Sequence, residues 1–140
     1  MVLKIVCCLT FVFFSFEAVC QKSGDRRIIV SLPNDSTILQ KVKIAFAKHD
    51  FGIREDGRKD TITTLLREFR TMPGFCILSA VVKNDTVILS GRYGTKRINV
   101  LGYTTAPNEY KPISYAGGSQ SWRLLMSVAK EIGGSLSFSK

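Results

Sequence analysis

Between Cys76 and Arg92 two runs of alternating apolar residues flank a single Asn84-Asp85 pair. Asn and Asp tolerate the positive φ angles of a two-residue hairpin turn, so the segment predicts a β-hairpin turning at 84–85. That turn sets a register in which Val82 faces Val87 and Ala80 faces Leu89. Side chains alternate along a strand. Cys76, Leu78, Ala80, Val82, Val87 and Leu89 therefore share one face, and Ser79, Lys83, Thr86 and Ser90 share the other. One apolar and one mostly polar face describe a sheet covered by helices on one side only. The rest of the chain has to supply that cover.

Arg27 to Leu32 alternates, with Ile28, Val30 and Leu32 on one face, and predicts a strand ended by Pro33. Asp35 or Ser36 stands where it can cap a helix by accepting hydrogen bonds from free backbone amides. In that helix Ile38, Leu39, Val42, Ala45 and Phe46 recur at helical spacing, and Lys41, Lys43 and Lys48 fall outside the stripe. Gly52 is expected to stop it in the left-handed conformation. The stretch from Asp60 to Arg70 is ambiguous, because Ile62, Leu65, Leu66 and Phe69 also fit a helical stripe. Its β-branched start, Thr61-Ile62-Thr63-Thr64, crowds a helix and tips 61–69 towards a strand.

Ile98 to Tyr103 suggests a further strand, and residues 104–118 form a long irregular connection containing Pro107, Pro112 and Gly117-Gly118. Ser119 or Ser121 then caps a last helix bearing Trp122, Leu125, Val128, Ala129 and Ile132, stopped by Gly133-Gly134. Leu136 and Phe138 alternate in a short final strand. The expected fold class is α+β. In the order β-α-β-β-β-β-α-β, it is a two-layer sandwich with a mostly antiparallel sheet and two helices on one face. Trp122 is expected between helix and sheet, where so large a ring contributes most.

The first twenty residues carry a different signal. Lys4 precedes the run Ile5 to Phe16, apolar apart from Thr10 and Ser15, and Ala18-Val19-Cys20 follows. Small residues one and three before a cut are what signal peptidase needs, so 1–20 is expected to be a cleavable signal peptide ending before Gln21. The run is short of the ~18–20 residues that cross a bilayer. Cys20 raises a lipidated N-terminus as an alternative, which Glu17 and Val19 disfavour, since they stand where an aliphatic and a small residue belong. Residues 21–25 are expected to be a flexible lead-in and 26–140 a single domain. The expected location is periplasmic or extracellular, with no transmembrane span after cleavage. Cys7, Cys8 and Cys20 leave with the signal, so Cys76 remains alone and no intrachain disulfide can form.

Loss of Lys4 and Glu17 cancels, and the processed chain keeps the formal net charge of +9. That excess favours anionic partners, although the basic residues are scattered rather than blocked. The chemistry of most enzymes lacks its groups. His49, the single histidine, falls at the end of the first helix beside Lys48 and Asp50. Without a second histidine or a cysteine pair it completes no metal site. Cys76 on the apolar hairpin face reads as an inert buried thiol. Gly117-Gly118 lacks the Lys-Ser/Thr of a phosphate-binding loop. Glu55, Asp56 and Asp60 lie among Arg54, Arg58 and Lys59 and read as a self-neutralising loop. No catalytic residue, metal or cofactor is implied. Arg92, Lys96 and Arg97 are the candidate contacts to an anionic partner; the stretch Gly91 to Gly94 lacks the interleaved aromatics of an RNA-binding strand, and with export expected no nucleic acid partner is.

Three tripeptides repeat one pattern: Asp35-Ser36-Thr37, Asp60-Thr61-Ile62 and Asp85-Thr86-Val87. Average composition gives about one or fewer in a chain of this size. The pattern resembles the acceptor for periplasmic O-glycosylation in the Bacteroidota, which makes Ser36, Thr61 and Thr86 candidate glycosylation sites. The signal ending before Gln21, the hairpin Val81 to Gly91 and the C-terminal helix plus strand resemble small secreted envelope proteins of that phylum with no assigned function. The resemblance implies an envelope location and a strand over 61–69, and brings no activity or functional residue. The residues favour an exported, non-enzymatic envelope module that binds an envelope protein or an anionic polymer. The alternative is a small-ligand-binding or glycan-processing enzyme whose site is not evident in the sequence. N-terminal sequencing of the native protein is expected to begin at Gln21; a retained Met1, or a lipid on Cys20, counts against this account of the leader.

Overall fold

The computed structural model describes residues 20–140; the expected signal peptide, Cys20 apart, lies outside the described residues. The hairpin comprises strands β5 (Gly74–Lys83) and β6 (Thr86–Thr95), with Asn84 at φ 50° in the turn. Val82 pairs with Val87 and Ala80 with Leu89, the register expected from the turn. The remaining elements are β1 (Arg27–Ser31), α1 (Ile38–Lys48), β2 (Ile53–Arg54), β3 (Thr61–Thr64), β4 (Arg67–Glu68), β7 (Arg97–Ile98), β8 (Thr104–Thr105), β9 (Lys111–Pro112), α2 (Gln120–Ile132) and β10 (Ser135–Ser139). The main sheet runs β10-β1-β6-β5-β3-β2, with β4 added to β5 and β9 to β6, and each of these pairings is antiparallel. Both helices cover one face, α1 against β5 and α2 against β1 and β6. The chain is the two-layer α+β sandwich that the patterning predicts.

The core lies between the layers. From the sheet come Ile28, Val30, Cys76, Leu78, Ala80, Val87 and Leu89; Val42, Ala45 and Phe46 come from α1, and Trp122, Leu125, Val128 and Ile132 from α2, all buried. Leu39, which fits the stripe of α1, is exposed instead, at the margin of the buried face. Ion pairing of Lys48 with Glu131 ties the two helices together at the surface and holds the Glu131 carboxyl below its ordinary range. Trp122 is 3% exposed and packs edge-on against Tyr115, ring centroids 5.8 Å apart, and at 6.1 Å from Phe138 of β10.

The ambiguous segment 61–69 is a bulged strand. β3 and β4 both pair with β5, and the register slips by one residue between Thr63↔Ser79 and Arg67↔Cys76. At the slip Thr64 is buried and its Oγ1 accepts the Leu78 N–H at 2.9 Å, while the Leu65 N–H turns away to Gly52 O at 2.7 Å. One extra residue reverses the alternation. Ile62 and Thr64 face the core before the bulge and Phe69 after it, and Leu65 and Leu66 of the apparent helical stripe are exposed.

Four local expectations are corrected. Residues 98–103 are not a strand of the sheet: β6 is flanked by β5 on one edge and by β1 and β9 on the other, so neither edge of the preceding strand is open to them. Their ends form the two-residue ribbon β7–β8 instead. The lead-in 21–25 is tied down, because Asp25 is buried and accepts the Lys22 N–H, and its backbone carbonyl accepts the Tyr115 N–H at 2.7 Å. Thr37 rather than Asp35 or Ser36 precedes α1; Asp35 instead accepts the Thr37 N–H and the Lys41 ammonium, which hold its carboxyl down at about 2. Asp50, not Gly52, takes the left-handed conformation after α1, at φ 59°. Gly52 is small for another reason: a Cβ there would stand 2.9 Å from Leu65 Cδ1. Ser119 caps α2 as expected, its Oγ accepting the Trp122 N–H.

Trp122→Ala opens a large void in this core and is expected to destabilise the fold by about 3–5 kcal/mol in denaturant titrations. Lys83→Ala on the exposed face should leave the midpoint almost unchanged. An unchanged midpoint for the tryptophan variant would mean that the ring does not support the helix–sheet interface.

Candidate functional site

The sheet's second face has no covering layer among the described residues. Alternation and register bring Ile29, Ile77, Val81 and Ile88 there as a half-buried aliphatic row, framed by Ser31, Thr61, Thr63, Ser79, Thr86 and Ser90. Ser79 and Ser90 are direct cross-strand partners, and Ile77 faces Arg92. β1 pairs with β6 only as far as Leu89, and β9 takes up the same edge of β6 at Arg92. Where one neighbour leaves and the next begins, a groove of about 460 Å³ opens, lined by Arg26, Arg27, Thr63, Ile77, Ser79, Ser90, Gly91, Arg92 and Pro112.

Its electrostatics are one-sided. Three guanidinium groups border the groove, no carboxylate lines it, and among the described residues Arg26, Arg27 and Arg92 take part in no ion pair. Guanidinium presents a planar fork of donors that matches carboxylate, sulfate or phosphate oxygens. Between them the lining combines aliphatic carbon with the hydroxyls of Thr63, Ser79 and Ser90. No histidine, lysine or carboxylate stands in the groove's lining; the groups it presents are three guanidinium forks, hydroxyls and aliphatic carbon.

Of the three cations singled out in the sequence, only Arg92 stands in this groove. Lys96 pairs with Glu68 and lies over the Phe75 ring at 5.7 Å. Arg97 sits on the β7–β8 ribbon and lines a separate cleft of about 310 Å³ with Glu109 and Lys111. Arg26 and Arg27 were not singled out. Arg27 alternates with Ile28, which places it outward, but its meeting with Arg92 depends on β1 lying beside β6, a long-range pairing that no local pattern reveals. Ser36, Thr61 and Thr86 lie at the hairpin-turn end of the sheet: Thr86 opens β6, the Val82 N–H reaches Asp60 O beside Thr61, and the Leu32 N–H reaches Asp85 O just before the turn carrying Ser36. Ser36 is exposed, and Thr61 and Thr86 are half-buried.

The other chemical groups lie apart. His49 ends α1, its backbone N–H held by the Ala45 and Phe46 carbonyls. Glu55 and Asp56 line a cleft of about 330 Å³ with Lys43, Arg54 and Arg58, and no ion pair forms within that loop among the described residues. No group of His, Cys, Asp and Glu among the described residues is arranged to hold a metal ion. Tyr93 alternates with Arg92 and so lies on the opposite face of β6, which separates the aromatic from the cation. No family model, curated protein or solved structure matches the chain.

Cys76 is fully buried, and burial pushes its thiol up to about 11, against a smaller opposing influence of the Arg67 guanidinium. The thiolate is the reactive form, so at neutral pH the group is both covered and protonated. A bulky thiol reagent is expected to leave Cys76 unmodified in the folded protein and to label it on unfolding; rapid labelling of the native state would overturn the assigned face of β5.

Proposed function

We propose that this chain is an exported, non-enzymatic binding module of the cell envelope, which holds an anionic polymer against the uncovered face of its sheet. The observation that carries the reading is the groove between Arg26, Arg27 and Arg92, cationic on its borders and apolar on its floor. An acidic polysaccharide suits that combination: its charged groups meet the guanidinium forks, its ring faces meet Ile77 and Pro112, and its hydroxyls meet Ser79 and Ser90. The formal net charge of +9 draws such a polymer in from a distance. The rival reading, an enzyme acting on a small ligand or a glycan, needs a proton-transfer group within reach of the bound molecule, and the groove's lining supplies none.

A protein partner is the second reading, and β10 favours it. Its outer edge meets no strand among the described residues, and Ser135–Ser139 carries no charge that would repel an added strand.

Titration calorimetry with polygalacturonate tests the first reading. Arg27→Ala and Arg92→Ala are each expected to weaken binding about tenfold, the ~1.5 kcal/mol of one charge-assisted hydrogen bond, and to reduce its salt dependence. Both variants should unfold at the same temperature as the unsubstituted protein. Equal affinity in all three proteins would remove the groove from consideration.

A further inference from the structure

The β7–β8 ribbon carries a cluster that the groove does not use. Ile98, Val100, Leu101 and Tyr103 follow one another around its turn, with fractional exposures running from 68% at Tyr103 to full exposure at Val100. No other large apolar residue among those described exceeds the 52% of Leu65. A turn in water ordinarily carries polar residues, so four large apolar side chains at one tip call for a partner.

We infer that this tip inserts into the interfacial layer of an anionic phospholipid bilayer, with the basic stem of the ribbon resting on the headgroups. The first support is how the tip's backbone is satisfied. Asn99 N–H donates to Tyr103 O at 3.0 Å and Gly102 N–H to Asn99 O at 2.9 Å; the Asn99 side-chain oxygen accepts the N–H groups of Leu101 and Tyr103 at 3.1 and 2.8 Å. With the amide protons of Asn99, Leu101, Gly102 and Tyr103 internally bonded, the turn enters an apolar medium with those four donors covered. Asn99, the polar residue in the middle of the apolar run, is the one that does this bonding.

The second support is shape. All four side chains follow one another around one turn and each is at least 68% exposed, so no part of the described chain covers them. A fluid bilayer closes around an inserted tip on every side. Ile98 to the apex spans two or three residues at ~3.3 Å each, which matches the ~5–10 Å depth of an interfacial insertion. Tyr103, with an apolar ring and a polar tip, is the residue type that settles at the headgroup level. No helix among the described residues is long and apolar enough to cross a membrane, and this mode of attachment needs none.

The third support is charge. Residues 93–111 contain Lys96, Arg97 and Lys111 against a single acid, Glu109. Arg97 and Lys111 are exposed at the base of the ribbon, where anionic headgroups would meet them. The inference is independent of the groove, which lies on the sheet face and involves different side chains apart from the shared strand β6.

The test uses the chain from Gln21 onward, which contains every residue of the described core. Flotation with vesicles of phosphatidylglycerol and phosphatidylcholine is expected to carry the protein up, and vesicles of phosphatidylcholine alone to carry much less. Val100→Asp with Leu101→Asp should weaken binding by tenfold or more, as expected for losing fully inserted aliphatic side chains. Both positions are exposed, so the melting temperature should not move. Arg97→Glu with Lys111→Glu should weaken binding to the anionic vesicles. A polarity-sensitive fluorophore on Leu101→Cys should shift to the blue on vesicle addition. Absence of vesicle binding, or binding undiminished by the aspartates, overturns the proposal. Self-association lost on the same aspartate substitutions, without vesicle binding, also overturns it and makes a second copy of the chain the tip's partner.

Discussion

Ten consecutive residue pairs, from Gly74↔Thr95 to Lys83↔Thr86, join β5 to β6, and β1, β3, β4 and β9 are each paired to one of these two strands. The ladder therefore aligns the whole sheet, and its alternation decides which side must be dry. Cys76, Leu78, Ala80, Val87 and Leu89 are fully buried on one side, and both helices are drawn to that side. A shift of one residue in this register would turn the apolar row to solvent. The bulge at Thr64–Leu65 shows how a neighbouring strand adapts to the ladder: it spends one residue to return Phe69 to the core side.

Two glycines in β6 explain how the long connection after it is held. A Cβ on Gly91 would stand 2.7 Å from both Ile113 Cδ1 and Leu78 Cδ2, and one on Gly94 would stand 2.5 Å from Pro107 Cγ. Bare backbone at these places lets the connection press onto the strand, with Ile113 fully buried and its N–H donating to Gly91 O. Once Pro107 to Ile113 has returned to β6, the residues between Thr95 and Pro107 have no room on the sheet. They fold on themselves as the ribbon and carry their apolar side chains outward. The projection is thus a consequence of how the strand edges are filled.

The proposed working surfaces sit at different parts of this frame. The cationic groove lies on the uncovered face at the junction of β1, β6 and β9. The ribbon leaves the end of β6 opposite the hairpin turn, and the three candidate glycosylation residues cluster at the turn end. A ten-residue strand separates those ends by about 30 Å. A domain attached by its ribbon would hold the turn end away from the attachment surface and leave the groove's face open along its side.

Local pattern was enough for the hairpin and its register, the two helices and the burial of Cys76 and Trp122, because alternation and helical spacing record directly which side of an element is dry; it left Ser119 and Ser121 both open as the cap of α2. It was enough to set Arg27 on the face of β1 opposite Ile28 and to end the hairpin segment at Arg92. It could not show that these strands are neighbours, nor that Lys96 is drawn off to Glu68, since pairing between distant segments leaves no mark on either segment alone. Residues 98–103 make the same point from the other side. Their apolar alternation is that of a strand, and by itself it cannot distinguish a segment that finds an open edge beside it from one whose neighbouring strand is already paired on both edges. Only the tertiary structure decides that, because the edges of β6 are filled by β1, β5 and β9, segments drawn from both sides of it in the chain.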